Sequence, residues 1–194
     1  MKSFKHLLVA LAVIIGMAAA TPAAAFESDL RLGFGSFMLR YKDQAQVYNS
    51  SGGGYQIGYV ARFGDYAAIE GRYGSANKSS KAGLTLQGES FMSLLAEPTL
   101  PLSEKVSVYG MLGVSRLAVE RTAANGAKQT VNRTATSYGF GGDYRLSDLV
   151  TFSGEWLIYG KNVDFGPQGG ASWPGVSRAR VSFDGLTFNF NFGF

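Results

Sequence analysis

The most constraining feature of this sequence is the alternation of residues 186–194, LTFNFNFGF. Large apolar side chains occupy every second position, at Leu186, Phe188, Phe190, Phe192 and Phe194, and small or polar residues lie between them. Because successive side chains of a β-strand point to opposite faces of the sheet, a period of two predicts a strand with one apolar and one polar face. Such a strand fits either a soluble sandwich or a barrel that crosses a membrane.

The other end of the sequence predicts export. Lys2 and Lys5 precede an apolar run from Leu7 to Ile15, and the small residues that follow end in an A-x-A pattern before Phe26. This layout is typical of a cleaved secretory signal peptide. The alternative, a transmembrane anchor, needs about 20 apolar residues, and this run is shorter. We therefore expect a signal peptide over residues 1–25 and one mature domain over residues 26–194.

Composition excludes several classes of protein. Without residues 1–25 the mature chain has 16 basic and 14 acidic residues, so the formal charge falls from +4 to +2 and nucleic-acid binding is not indicated. There is no cysteine, which excludes a disulfide-stapled domain and a lipid-modified cysteine. The 26 glycines and 24 Phe and Tyr residues favour strands over helices.

Period-two patterns separated by turn residues recur along the mature chain. No apolar run there approaches the length of a membrane-spanning helix. The patterns predict eight strands, over residues 28–42, 54–64, 66–75, 84–100, 106–120, 133–146, 149–161 and 177–194.

The predicted connections alternate between short and long. GD, PLSEK and LSD follow the even-numbered strands, and segments of 8 to 16 residues follow the odd-numbered ones. Outer-membrane barrels have this arrangement, with short periplasmic turns, longer extracellular loops and an even number of strands. A soluble sandwich has no reason to sort its loops by end. The sequence therefore predicts an all-β fold, an eight-stranded antiparallel transmembrane β-barrel.

Three segments give the chain a family resemblance: VSVYGMLGVSRLAV, SYGFGGDYRLSDLVTFSGEW and FDGLTFNFNFGF. With them the mature chain resembles the small eight-stranded outer-membrane barrels of the OmpX/OmpA kind. The resemblance implies residence in the outer membrane of a Gram-negative bacterium. It also implies that Phe190, Phe192 and Phe194 form an assembly signal read by the barrel-assembly machinery, which would be a partner during insertion.

Alternation assigns a set of polar residues to the barrel interior. The predicted lumen network contains five acids and four bases: Arg62, Glu70, Arg72, Glu89, Glu97, Arg133, Asp143, Arg145 and Glu155. Gln56, Gln87, Asn189 and Asn191 lie on the same face. An eight-stranded barrel is just wide enough inside for its own side chains, so we favour a neutralised polar plug. A narrow ion path is the alternative.

Catalytic and metal-binding residues are scarce. The only histidine, His6, lies in the predicted signal peptide, so nucleophile activation by histidine is unavailable to the mature chain. A carboxylate pair such as Glu70 and Glu89 remains, but acids inside small barrels usually pair with arginine. We predict no catalytic residues, no metal site and no cofactor.

The predicted outer loops are rich in cations and contain few acids. Lipopolysaccharide presents phosphates at that height, where cations bind favourably. The predicted contacts are Lys78, Lys81, Arg121, Lys128 and Lys161. Ordinary solvated loops are one alternative. Another is an extracellular protein partner anchored by Tyr48, Phe165 and Trp173, which this hypothesis expects to be exposed.

Together these features predict a monomeric, non-enzymatic outer-membrane barrel. Its expected role is structural or surface-interacting, through envelope integrity, adhesion or contact with lipopolysaccharide. A small pore or transporter for ions or apolar solutes is the second hypothesis. A lipid-modifying enzyme is the third.

Overall fold

The described part of the molecule consists of strands and the turns between them. The computed structural model describes residues 27–44, 47–76, 78–81, 84–122, 126, 128–166 and 179–194, so the predicted signal peptide lies outside the described residues. Among these, none forms a helix long and apolar enough to span a membrane. The strands are β1 (Glu27–Asp43), β2 (Val47–Arg62), β3 (Ala67–Ala76), β4 (Lys78–Lys81), β5 (Leu84–Pro101), β6 (Val106–Thr122), β7 (Lys128–Arg145), β8 (Val150–Asp164) and β9 (Ala179–Gly193).

The strands close into a barrel. Each long strand pairs antiparallel with the next along the chain, and β9 returns to pair with β1 from Asp29↔Gly193 to Asp43↔Ala179. The short strand β4 continues β3, and both pair with β5. Because β3 and β4 share one position in the barrel wall, the nine strands occupy eight positions. This confirms the predicted eight-stranded antiparallel barrel. Closure pairs the backbone groups that an open sheet would leave at its edges.

The two ends of the barrel differ. Residues 63–66, 102–105 and 146–149 form tight turns at one end, which we call the turn end. At the other end, the loop end, the strands run further than the sequence pattern predicted: β2 begins at Val47 rather than residue 54, and β7 begins at Lys128 rather than residue 133. The prediction was wrong at these bounds because the ladder continues through the segments NSSGG of β2 and KQTVN of β7, which lack a period-two pattern of apolar residues.

The outer surface next to the turn end is an apolar belt. Its members include Leu32, Phe34, Leu94, Val114, Phe140, Leu186, Phe188 and Phe190, all at least one-third exposed. On β9 the residues between them, Thr187, Asn189 and Asn191, are buried inside the barrel, as the alternation predicted. A belt of this kind matches the lipid-facing band of an outer-membrane barrel. The turn end is then periplasmic and the loop end extracellular.

The strands continue past the belt at the loop end, and there the polarity of the two faces reverses. On β9 the inward side chains Val181 and Phe183 are apolar and buried, and the outward Arg180 is exposed. On β6, Leu117 and Val119 point inward, and Arg116 points outward. We call this part the extension. It has the cross-section expected of a barrel in water, with an apolar interior and a polar surface.

Candidate functional site in the barrel interior

Five fully buried charged residues form a polar cluster inside the belt: Arg31, Glu70, Arg72, Glu97 and Glu155, each at most 3% exposed. Nη1 of Arg31 lies 2.7 Å from Oε2 of Glu70, 3.0 Å from Oε1 of Glu97 and 3.4 Å from Oε2 of Glu155. Arg72 donates from Nε to Glu70 at 2.8 Å and from Nη2 to Glu155 at 3.0 Å. The two guanidinium groups therefore hold the three carboxylates together.

Uncharged polar side chains surround the carboxylate of Glu155. Its Oε1 accepts hydrogen bonds from Nε2 of Gln56 at 2.6 Å, from Nδ2 of Asn189 at 2.8 Å and from Oγ1 of Thr187 at 3.1 Å. Nε of Arg31 donates to Oδ1 of Asn191 at 2.8 Å. These contacts supply the hydrogen bonds that buried charges need, since burial removes the water that would otherwise provide them.

The strand positions explain why these side chains meet. Arg31 lies on β1 between the outward residues Leu30 and Leu32, so it points inward, and it is in register with Asn191 of β9. Glu70 and Arg72 are two residues apart on one face of β3. Glu97 of β5 is paired to the same strand, opposite Ala68. Curvature of the closed sheet then brings β8, with Glu155, across the lumen to them.

A second charged group lies nearer the turn end. Nη2 of Arg62 is 2.6 Å from Oδ2 of Asp29 and 3.7 Å from Oδ2 of Asp143. Oδ1 of Asp143 is buried without a hydrogen-bond partner among the described residues. Arg145 is exposed at this end of the barrel, away from the polar cluster.

An aromatic core fills the lumen on the other side of the polar cluster. It consists of Phe37, Phe91, Tyr159 and Phe183, whose ring centroids lie 4.3 to 6.1 Å apart. Tyr159 joins the two levels, because its hydroxyl donates to Oε1 of Gln56 at 2.9 Å while its ring packs on Phe91.

Glycines make room for these rings. A Cβ atom at Gly74 would lie 2.2 Å from Cζ of Phe91, and one at Gly185 would lie 2.7 Å from Cδ1 of Phe37. The inward glycines therefore set the space that the aromatic core occupies.

The aromatic core continues into the apolar interior of the extension, and the two form one cluster of buried side chains. Tyr48 and Phe165 belong to it, with 4% and 0% exposure, together with Val131 and Val181. The prediction that Tyr48 and Phe165 are exposed anchors was wrong, because the sequence pattern assigned them to loops. Trp173, the third predicted anchor, lies outside the described residues.

The predicted lumen residues separate into three groups. Glu70, Arg72, Glu97 and Glu155 meet in the polar cluster, with Gln56 and Asn189 beside them. Arg62, Asp143 and Arg145 lie at the turn end. Arg133 lies in the extension, where it donates to backbone carbonyl groups of Asp164 and Gly166 and its guanidinium is 5.7 Å from the ring centroid of Phe165. The side chain of Glu89 lies outside the described residues.

Arg31 is the member of the polar cluster that the predicted network omitted. It contacts all three glutamates of the polar cluster and is completely buried. The alternation of Leu30, Leu32 and Phe34 on β1 was the signal that could have placed it inside.

The predicted lipopolysaccharide contacts differ in placement. Arg121 has an inward position on β6 and a buried Nε atom, and Lys161 is exposed. Nζ of Lys128 lies 3.6 Å from Oε1 of Glu120 on the outer surface of the extension. The side chains of Lys78 and Lys81 lie outside the described residues. An additional cation, Arg116, is exposed one outward position beyond Val114, where the apolar belt ends.

The three glutamates of the polar cluster are held in ion pairs with arginine. Among the described residues no group of three or more His, Cys, Asp or Glu side chains is arranged to hold a metal ion. The carboxylates of the polar cluster accept hydrogen bonds from arginine, amide and hydroxyl groups. Phe190, Phe192 and Phe194, the predicted assembly signal, are exposed on the outer surface next to the turn end.

Comparison with known proteins identifies the fold. A family model described as "Outer membrane protein beta-barrel domain" matches residues 8–194. The barrel is similar to that of Neisserial surface protein A (NspA), with 14% identity, a TM-score of 0.58 and coverage of 85% of this chain and 97% of that one. It is similar to Ail of Yersinia pestis, crystallised with the heparin analogue sucrose octasulfate, with 16% identity, a TM-score of 0.54 and coverage of 87% and 100%. It is also similar to the N-terminal barrel of Pseudomonas aeruginosa OprF, with 13% identity, a TM-score of 0.51 and coverage of 84% of this chain and 97% of that one. No curated protein matches the chain.

Proposed function

This chain belongs to the outer membrane protein beta-barrel domain family, and from that membership we propose that it is a non-enzymatic, monomeric barrel with a sealed lumen and a structural or surface-interaction role. Its place is the outer membrane, where the apolar belt contacts hydrocarbon. The extension stands above the membrane and is available to the outside.

The observation that carries this proposal is the filling of the lumen at two successive levels. The polar cluster crosses the barrel at one level and the aromatic core crosses it at the next, and Arg31, Glu70, Phe37 and Phe91 are each at most 2% exposed. A conducting pore needs a continuous hydrated path whose charged groups face water. Side chains that contact one another across the lumen favour a plug instead.

Planar-bilayer recording of the refolded protein tests the sealed lumen. We expect no stable single-channel current from the wild type, and a lower melting temperature for Glu155→Gln because it breaks the polar cluster. Steady currents through the wild type would contradict the sealed lumen. The pore hypothesis would then be favoured if Glu155→Gln changed the ion selectivity of these currents without lowering the melting temperature of the protein.

A second observation favours contact with lipopolysaccharide. Arg116 is exposed directly above the belt, and it has no acidic side chain within 4 Å among those described. A guanidinium at this height matches the phosphates of the outer leaflet geometrically and electrostatically. Lys161, Lys128, Lys78 and Lys81 remain proposed contributors, whereas the inward position of Arg121 argues against a contact there. The sulfated ligand in the Ail crystal is a precedent for polyanion binding on this type of barrel.

The contact is testable by comparing two outward arginines. Arg180 is exposed at the loop end of β9, opposite Lys42 of β1 and further from the belt than Arg116. We expect added lipopolysaccharide to raise the melting temperature of the wild type and of Arg180→Gln, and to raise that of Arg116→Gln by a smaller amount. Equal responses of the two variants would refute a specific role for Arg116.

A test of the proposed assembly signal must distinguish an effect on membrane insertion from an effect on the stability of the folded barrel. Phe190, Phe192 and Phe194 would be read by the barrel-assembly machinery. Phe194→Ala should therefore reduce the amount of folded barrel in cells while refolded protein keeps a wild-type melting temperature. An equal loss in both assays would mean that Phe194 acts through stability alone.

A further inference from the structure

The turn end of the barrel contains a polar cavity that the proposed function does not use. It has a volume of about 740 Å³ and is bordered by the tight turns. This volume is within the range of small-molecule sites, which is roughly 300–1,000 Å³. We call it the vestibule, and in an outer-membrane barrel it opens to the periplasm.

The vestibule has an excess of negative charge. Three basic side chains, Arg62, Lys105 and Arg145, line it. They face six acidic ones: Glu27, Asp29, Asp65, Glu104, Asp143 and Asp148. The polar cluster directly above adds three carboxylates and only two guanidinium groups. Because the surrounding barrel wall is a low-dielectric medium, charges at its mouth attract counter-ions more strongly than the same charges on an open surface.

Asp143 is the feature that distinguishes the vestibule from an ordinary acidic surface. Its side chain is 7% exposed and lines the cavity, and its Oδ1 atom is buried without a hydrogen-bond partner among the described residues. Its Oδ2 atom is 3.7 Å from Nη2 of Arg62, beyond hydrogen-bond distance. Arg62 is closer to Asp29, at 2.6 Å. A buried carboxylate with so few donors is costly, and a cation placed in the vestibule beside Asp143 would compensate its charge and lower that cost.

The arrangement of the acids selects the kind of cation. A divalent metal ion needs several carboxylates converging on one point, and no group of three acids is arranged in that way among the described residues. The acids are instead distributed along the wall and rim of the cavity. We propose that the vestibule binds a linear organic polyamine, with one ammonium group at Asp143 and the others along the rim.

Calorimetric titration of the folded protein in a non-ionic detergent at low salt, with spermidine as the probe, tests this proposal. We expect saturable one-to-one binding that weakens as salt is added. Asp143→Asn should weaken the affinity about fivefold to tenfold, as expected for the loss of one partly buried charge pair. Glu120→Gln is the matched control, because it removes one negative charge from the outer surface of the extension, and it should bind spermidine as the wild type does.

A second variant keeps the test independent of Asp143. Asp65→Asn combined with Asp148→Asn changes two rim residues in exposed turns, and it should also weaken spermidine binding while leaving the barrel folded. The proposal is overturned if both vestibule variants bind like the wild type, or if Glu120→Gln weakens binding as much as they do. Magnesium ions that bind as tightly as spermidine would also overturn it, in favour of a site for inorganic cations.

Discussion

Phe188 and Phe183 lie five residues apart on β9 and point in opposite directions. Phe188 is outward in the apolar belt and 41% exposed, whereas Phe183 is inward in the aromatic core and 3% exposed. The same reversal occurs on β1, where Phe34 is outward and Phe37 inward. The belt region has a polar interior and an apolar surface, and the extension has an apolar interior and a polar surface.

The comparison shows that one closed sheet can be stable in hydrocarbon along one part of its length and in water along the next. In hydrocarbon, apolar side chains gain nothing by moving inward, so the interior is left to charges that satisfy one another. In water, the hydrophobic effect drives apolar side chains inward. On β1, β6 and β9 the alternation is unchanged across the boundary, and only the chemistry of each face is exchanged. On β5 and β8, bulges between Gly88 and Ser90 and between Ile158 and Val163 shift the register near the same level.

The largest effect should come from breaking the polar cluster. Arg31→Gln leaves three buried carboxylates with one guanidinium, and breaking a buried ion pair in this way costs about 3–5 kcal/mol. Urea unfolding of the refolded barrel, monitored by the heat-dependent gel shift, measures the loss. Stability within about 1 kcal/mol of the wild type would mean that water screens these charges, as in a pore.

The next effect separates the two outer surfaces directly. Phe140 and Thr134 are both outward on β7, the first in the belt and the second in the extension. Phe140→Arg should cost roughly 2–4 kcal/mol, because it places a cation in hydrocarbon. Thr134→Arg should cost about 1 kcal/mol or less in the same assay, because water screens its repulsion of Arg116, its neighbour on β6. Similar losses from the two would contradict the placement of the membrane boundary between them.

A smaller effect tests the packing of the aromatic core. Gly74→Ala places a Cβ atom 2.2 Å from Cζ of Phe91 and 2.6 Å from the carbonyl oxygen of Tyr55. Overpacking of this kind costs about 1–3 kcal/mol. Gly71 is the control, since a Cβ atom there meets nothing within 4 Å. If Gly71→Ala destabilised the barrel as much as Gly74→Ala, backbone effects rather than packing would be responsible.

The smallest effect is expected at the outer surface of the extension. Arg40 forms an ion pair with Asp184, but its side chain is 48% exposed. Such pairs contribute about 0–1 kcal/mol, so Arg40→Gln should change the free energy of unfolding very little, and less at high salt. A loss comparable to that of Arg31→Gln would show that the extension is stabilised by charges as the belt region is.

The sequence predicted part of the polar cluster and part of the apolar interior. Glu70, Arg72, Glu97 and Glu155 were assigned inward because their neighbours on each strand are apolar and alternate with them. Arg133 was assigned to the same network, yet it lies in the extension beside Phe165. Tyr48 was assigned to a loop, yet it is buried. Alternation predicts which face a residue occupies, but it does not say at what height along the barrel the solvent changes.

The sequence by itself determined the strands, their number and the apolar face of each, because a period of two follows from the local geometry of the extended chain. The tertiary structure decided which charges meet. Arg31 of β1, Glu97 of β5 and Glu155 of β8 are far apart in the sequence and become neighbours only when β9 pairs with β1 and closes the ring. The stagger and curvature of that closure are properties of the whole sheet, so no single strand contains the information that places Arg31 among three glutamates.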